Sequence, residues 1–253
     1  MEDFEAIEDF MMNGHKVYLP HMSIECVVFG YENRHLKVLL VKLRNVGWGV
    51  PSGYILKEEG LTQAAKRILN ERTSLDNIFL KQFHVFGDSK YRISKRDDEI
   101  WDRLPENNWL ADRTLAVGFY AIIDCSAANI KQDILIEDYK WVEVNEIPDN
   151  LLLDHNEIIA EALNTMRKQI FNEPIGYNLL PEKFTLPEIQ ILYETVLNKT
   201  FDRRNFSNKL IAMEIIVKLN EKRNIGQHRS PFLYSFHETN YLNALNEGVV
   251  QAL

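Results

Sequence analysis

The chain has 253 residues, 45% of them hydrophobic and 26% charged, with eleven Gly, eight Pro and two Cys. That length fits two domains of roughly 100–200 residues each, and the composition excludes collagen-like, low-complexity and extensively disordered chains. The net charge of -8 argues against a nucleic-acid partner for the surface as a whole, yet residues 199–230 hold eight Lys/Arg against three acids (+5) while residues 1–180 hold 20 against 29 (-9).

The start, Met1-Glu2-Asp3-Phe4-Glu5, is acidic and lacks the basic, then apolar, opening of a secretory signal. No stretch of about 18 apolar residues occurs, so a cytoplasmic protein without a membrane partner is expected. Two β-rich runs, Ser23–Phe29 and Leu36–Leu43, flank the turn-forming Gly30-Tyr31-Glu32-Asn33 and predict a hairpin. Val46–Tyr54, with Gly47, Gly49, Pro51 and Gly53, predicts an irregular loop. Ala64, Ala65, Ile68 and Leu69 then recur at helical spacing between Leu61 and Arg72. Strands are predicted at Phe79–Phe86, Arg113–Asp124 and Tyr139–Val144. The polar stretch Asp88–Asp112 is long for a connection, and its Trp101 and Trp109 point to an ordered loop. Cys26 and Cys125 lie in apolar runs and are expected to be buried small hydrophobes, with neither disulfide nor zinc role.

Asp154 is placed to cap a helix with Ile158, Ile159, Ala162, Leu163, Met166 and Ile170 inside. Asn172-Glu173-Pro174-Ile175-Gly176-Tyr177 has the breaker content of a linker, so the domains are expected at 1–172 and 173–253. Thr185-Leu186-Pro187-Glu188 predicts a capping box opening a helix through Leu197. A second helix is predicted over Asp202–Met213. Strands at Ile215–Leu219 and Phe232–Phe236 follow, joined by a basic turn from Asn220 to Pro231. Helix, helix, hairpin is the order of a winged helix-turn-helix.

Gly53, Glu59, Arg67, Leu69, Glu71 and Leu75 fall at the spacing of the Nudix box, and this segment resembles it, as Trp48-Gly49-Val50-Pro51-Ser52-Gly53-Tyr54 resembles the approach to it. Three members differ: Ile68 and Arg72 stand where the resemblance implies glutamates, and Ser74 where it implies glycine. Nudix hydrolysis needs clustered carboxylates to hold divalent cations, and a hydrocarbon with a fixed cation in that cluster opposes the metal. No catalysis, no metal and no cofactor are therefore expected. Glu59 and Glu71 are read as helix acids pairing with Arg67 or Lys66.

A cleft can outlive lost catalysis. Trp48 and Tyr54 border the loop, Glu25 and Ser52 offer hydrogen-bonding groups near strand ends, and Asp88 and Trp101 lie on the long connection. An aromatic face with directed polar groups suits a small polar effector such as a sugar, so these six residues are the expected effector site. Glu25 interrupts an apolar strand, and its carboxylate must either face the cleft or find a buried partner.

In the second C-terminal helix Phe206, Leu210 and Met213 form the inward stripe. Arg204 and Asn208 lie almost opposite, with Arg203 and Ser207 at the flank. Arginine and asparagine make bidentate contacts to guanine and adenine edges. The expected DNA contacts are Arg203, Arg204, Asn205, Ser207, Asn208 and Lys209 on the helix, with Arg223, Gln227, His228 and Arg229 on the wing.

The whole chain resembles the Nudix-related transcriptional regulators. Leu180–Glu188, Asp202-Arg203-Arg204-Asn205-Phe206 and Lys209-Leu210 resemble that family's helix-turn-helix, and Phe86-Gly87-Asp88 its effector domain. The resemblance implies an α/β/α Nudix-like sandwich with a mixed sheet (α/β class), followed by a winged helix. It also implies a homodimer released from operator DNA by a small ligand. The expected function is a ligand-responsive regulator of sugar catabolism, with L-arabinose as effector. The alternatives are a regulator of NAD metabolism sensing ADP-ribose, an active ADP-ribose-type pyrophosphohydrolase, or a protein-interaction module.

Overall fold

The computed structural model describes residues 2–44, 46–75, 78–88, 108–111, 113–130, 135–170, 179–214, 216–224 and 230–237. The chain divides into two compact units, Met1–Gly30 with Lys37–Asn164, and Tyr31–Leu36 with Thr165–Leu253.

The first unit is built from α1 (Glu2–Asn13), β1 (Tyr18–Glu32), β2 (His35–Leu43), β3 (Gly47–Gly49), β4 (Ser52–Leu56), α2 (Leu61–Thr73), β5 (Lys81–Phe86), β6 (Leu115–Asp124), β7 (Ile136–Glu143) and α3 (His155–Gln169), the last turns of α3 counting with the second unit. Its seven strands form one sheet in the order β3-β2-β1-β6-β5, with β4 paired to β1 and β7 to β2. β1 is buried without a break from Ser23 to Gly30, the pattern of a strand covered on both faces. On one face Ile24, Cys26 and Val28 share a core with Leu39, Ile55, Val117, Phe119 and Ile123 and with Ala64, Ala65, Ile68 and Leu69 of α2. On the other, Val27 and Phe29 are fully buried and Glu25 meets His155 at the start of α3. Ile158, Ile159 and Ala162 of α3 are buried as well. Helices thus cover both faces, and each large apolar side chain so enclosed contributes about 1.5–3 kcal/mol against the entropy of ordering the chain.

Three expectations are corrected here. The hairpin turn is Asn33-Arg34, both with positive φ, because this mirror-type turn matches the twist of the two strands; Gly30 and Tyr31 still belong to β1. The glycine-rich segment after Val46 is not wholly irregular, since β3 pairs with β2 and β4 with β1. The N-terminal helix α1 was missed. It docks through Trp109, whose indole Nε1 donates to the Phe10 carbonyl at 2.9 Å. The cysteines are buried as expected.

The second unit contains α4 (Leu186–Leu197), α5 (Arg203–Ala212), β8 (Ile216–Lys222) and β9 (Phe232–Phe236). Glu188 Oε2 accepts from the Thr185 amide at 2.7 Å, as a capping box requires, and also from the Thr185 hydroxyl at 2.9 Å. The turn between the helices is held by Glu194 Oε1, which accepts from the Phe201 amide, and by Gln190, which donates to the Phe201 carbonyl. Asp202 caps α5 by accepting from the Asn205 amide at 2.9 Å. β8 and β9 pair antiparallel, and Phe184 bridges to Tyr234 beside them. Among the described residues no helix is long and apolar enough to cross a membrane.

Candidate functional site

The Nudix-box helix α2 points its apolar stripe into the core, and Ile68 goes with it at 1% exposure. Its side chain lies directly beneath Gly53, where an added Cβ would come within 2.9 Å of Ile68 Cγ1. The position where the resemblance implies a carboxylate is therefore a sealed hydrocarbon contact. Arg67 uses the remaining acids. Its Nε donates to Glu59 Oε2 at 3.0 Å, its NH2 to Glu59 Oε1 and the Tyr54 carbonyl, and its NH1 to Glu71 Oε2 at 3.2 Å. Hydrogen bonding to Arg67 holds the Glu59 carboxyl below the usual glutamate range, and the same bond raises Arg67. Glu59 also accepts from the Leu56 amide at 2.7 Å, so it pins the end of β4 to α2. This donor set does not fit a divalent cation: one position is a buried isoleucine, Arg72 brings positive charge, and both surviving acids are neutralised by Arg67.

Among the described residues expected to bind effector, the surroundings differ from one to the next. Glu25 is 3% exposed. Its Oε1 accepts from Ser23 Oγ at 3.0 Å and its Oε2 lies 3.4 Å from His155 Nε2. The Val50 amide donates to His155 Nδ1 at 3.0 Å, which leaves the ring proton on Nε2, facing the carboxylate. A Cβ on Gly49 would collide with that ring. Glu25 has thus found a buried partner in His155. Ser52 lies opposite Glu25 in the β1–β4 ladder and is half-buried.

The two aromatic candidates have different neighbours. Tyr54 packs in a cluster with Trp109 at 4.6 Å, Phe10 at 6.0 Å and Tyr18 at 6.4 Å between ring centroids. Trp48 instead carries the ammonium of Lys140 over its ring at 4.2 Å. Tyr54 is therefore a packing residue that receives α1, while Trp48 is half-buried beside Lys140. Asp88 is exposed just beyond β5, and Trp101 lies outside the described residues. Sequence reasoning missed His155 and Lys140, which no local pattern marks as partners of Glu25 and Trp48.

In the second unit Phe206 and Leu210 turn α5 inward, with Phe206 against Phe201 at 5.3 Å and Tyr193 at 5.5 Å. Met213 is only half-buried and follows the helix rather than completing its stripe. Arg203, Arg204, Asn205, Asn208 and Lys209 are exposed, while Ser207 is half-buried and donates to the Arg203 carbonyl at 2.8 Å. Arg223 differs from its expected role. Its guanidinium donates to Glu188 Oε1 and to the Lys183 carbonyl, so it braces the capping box of α4. Lys218 and Lys222 stand over the Phe232 ring at 3.7 and 4.8 Å and are exposed cations among the described residues of the hairpin. Gln227, His228 and Arg229 lie outside the described residues.

Family comparison matches residues 19–163 to the NUDIX domain and residues 176–236 to the NrtR DNA-binding winged helix domain. The chain belongs to the Nudix-related transcriptional regulators. It is similar to the ADPR responsive transcriptional repressor NtrR of Acinetobacter baylyi, 24% identical over 230 residues, spanning 88% of this chain and 84% of that protein. In fold it is similar to Shewanella oneidensis NrtR complexed with a 27mer DNA, with TM-score 0.66 and 24% identity over 87% of this chain and 95% of that one. A MutT/nudix family protein from Enterococcus faecalis gives TM-score 0.60 and 17% identity over 92% and 98%. The winged-helix match spans α4, α5 and the β8–β9 hairpin, and the NUDIX match spans the sheet of the first unit with α2.

Proposed function

We propose that this Nudix-related regulator binds operator DNA as a homodimer and is released by a small effector bound in a non-catalytic Nudix domain. The observation that carries the reading is α5: Arg204 and Asn208 are presented opposite the buried Phe206 and Leu210, at the start of a basic module. Effector and operator are coupled only if the effector prefers a state that holds DNA poorly, and linkage then requires DNA to weaken effector binding by the same factor.

For the effector, the ADP-ribose class is favoured, and with it regulation of NAD metabolism. The A. baylyi repressor that resembles this chain over most of both lengths is ADP-ribose responsive. The sugar expectation drew on six residues and on the family resemblance, and two of those residues, Tyr54 and Glu25, pack against Trp109 and His155. A half-buried Trp48 with Lys140 above it suits a ligand with both a planar ring and phosphate charge. Calorimetric titration of the full chain with ADP-ribose, L-arabinose and other pentoses, with and without operator duplex, tests both. ADP-ribose should bind, and bind less tightly in the presence of operator. Binding of a pentose alone would return the sugar assignment, and equal affinity with and without DNA would remove the sensor role. Mg²⁺-dependent cleavage of ADP-ribose should not exceed background, since Ile68 and Arg72 oppose the metal.

A further inference from the structure

One residue on the outward face of α5 is explained neither by charge nor by hydrogen bonding. Ile211 is 48% exposed. It follows Arg204 by seven positions and Asn208 by three, so at 100° per residue it returns to within roughly 20° of Arg204. Phe206 and Leu210, on the opposite side, are buried, so Ile211 does not hold the helix to its unit. A β-branched hydrocarbon at an exposed helical site lowers helix propensity and leaves apolar surface in water.

We infer that Ile211 is a specificity-determining residue that packs against the 5-methyl group of a thymine in the operator. The inference rests on the DNA-binding reading of α5. The edges of the bases in the major groove offer hydrogen-bond donors, acceptors and one apolar group, the thymine methyl. An isoleucine brought there buries its own surface only against that methyl, and against the amino group of cytosine it would desolvate a donor without replacing its bond. The neighbours on the face set the occupant: Arg204 and Asn208 suit base edges, and the exposed Arg203 and Lys209 suit phosphates. A rise of about 10 Å between Arg204 and Ile211 corresponds to about three base pairs along the groove. Each half-site should therefore carry a required thymine about three positions from the base read by Arg204.

Deoxyuridine lacks only the 5-methyl group and tests the contact directly. Duplexes are selected from a random library with the full-length protein, and the selected duplex is compared with versions carrying deoxyuridine for thymine one position at a time. Affinity is read by fluorescence anisotropy for wild type and Ile211→Ala. At one thymine per half-site the wild type should lose about fourfold in affinity, the worth of one buried methyl. Ile211→Ala should bind the two versions equally, with an unchanged melting temperature because the side chain is exposed. Indifference of the wild type to deoxyuridine at every position, or full discrimination retained by Ile211→Ala, overturns the inference while leaving DNA binding intact. Failure to enrich any duplex overturns the DNA-binding reading and this inference with it.

Discussion

Arg67 donates to two acids and a backbone carbonyl, and its effect on stability has a definite sign. Glu59 has a lowered folded pKa because it accepts from Arg67. A depressed carboxylate contributes stability that is present above its unfolded value and lost as pH falls through the folded one. Glu59→Gln should therefore cost about 1–3 kcal/mol at neutral pH, the worth of hydrogen bonds to a charged group, and should flatten the acid limb of the stability profile. Chemical denaturation down an acid series measures both. Ile68 makes the converse case. Placing a carboxylate at a position 1% exposed, beneath Gly53, leaves it without water or partner. Ile68→Glu should destabilise by about 3 kcal/mol or more and should yield no hydrolysis. A stable variant that turns over ADP-ribose would show that the box retains a usable metal site.

At the scale of elements, the proposed function assigns stability to α4 and recognition to α5. The capping box at Thr185 is braced by Arg223, which also holds the Lys183 carbonyl. Arg223→Ala should lower the stability of the winged helix by about 1 kcal/mol, as loss of a cap and an exposed ion pair allows, and should weaken all duplexes alike. Arg204→Ala should behave in the opposite way. The melting temperature should stay unchanged while operator affinity falls by about 1–3 kcal/mol and discrimination at one position relaxes. Thermal melts paired with binding curves on operator and scrambled duplex separate the two. Loss of stability in Arg204→Ala would mean that its guanidinium serves the fold.

For the molecule as a whole, the net charge of -8 conceals a module carrying +5 over residues 199–230. Duplex affinity should fall steeply with salt, with a log–log slope of about 0.9 per phosphate contact. Lys218 and Lys222, held over Phe232, are placed to make two such contacts. Replacing both with Ala should reduce the slope by about 2 without changing sequence preference, whereas an unchanged slope would place both lysines off the DNA. The proposed homodimer requires a palindromic site, since twofold symmetry presents two recognition helices to two half-sites.

The sequence alone determined the elements whose signals are local. The periodicity of Ala64, Ala65, Ile68 and Leu69 marked α2, the Thr185–Glu188 spacing marked the start of α4, and the inward Phe206 and Leu210 fixed the outward side of α5. Composition along the chain placed the basic module. Tertiary structure decided what each polar or aromatic side chain meets, since those partners come from distant segments that no spacing rule links. It gave Glu25 to His155, Tyr54 to Trp109, Lys140 to Trp48 and Arg223 to Glu188. Periodicity reports which way a side chain points relative to its own element. The chemistry available at a site depends on what the fold brings to the other side, and there burial set an expected sugar acceptor against a buried imidazole.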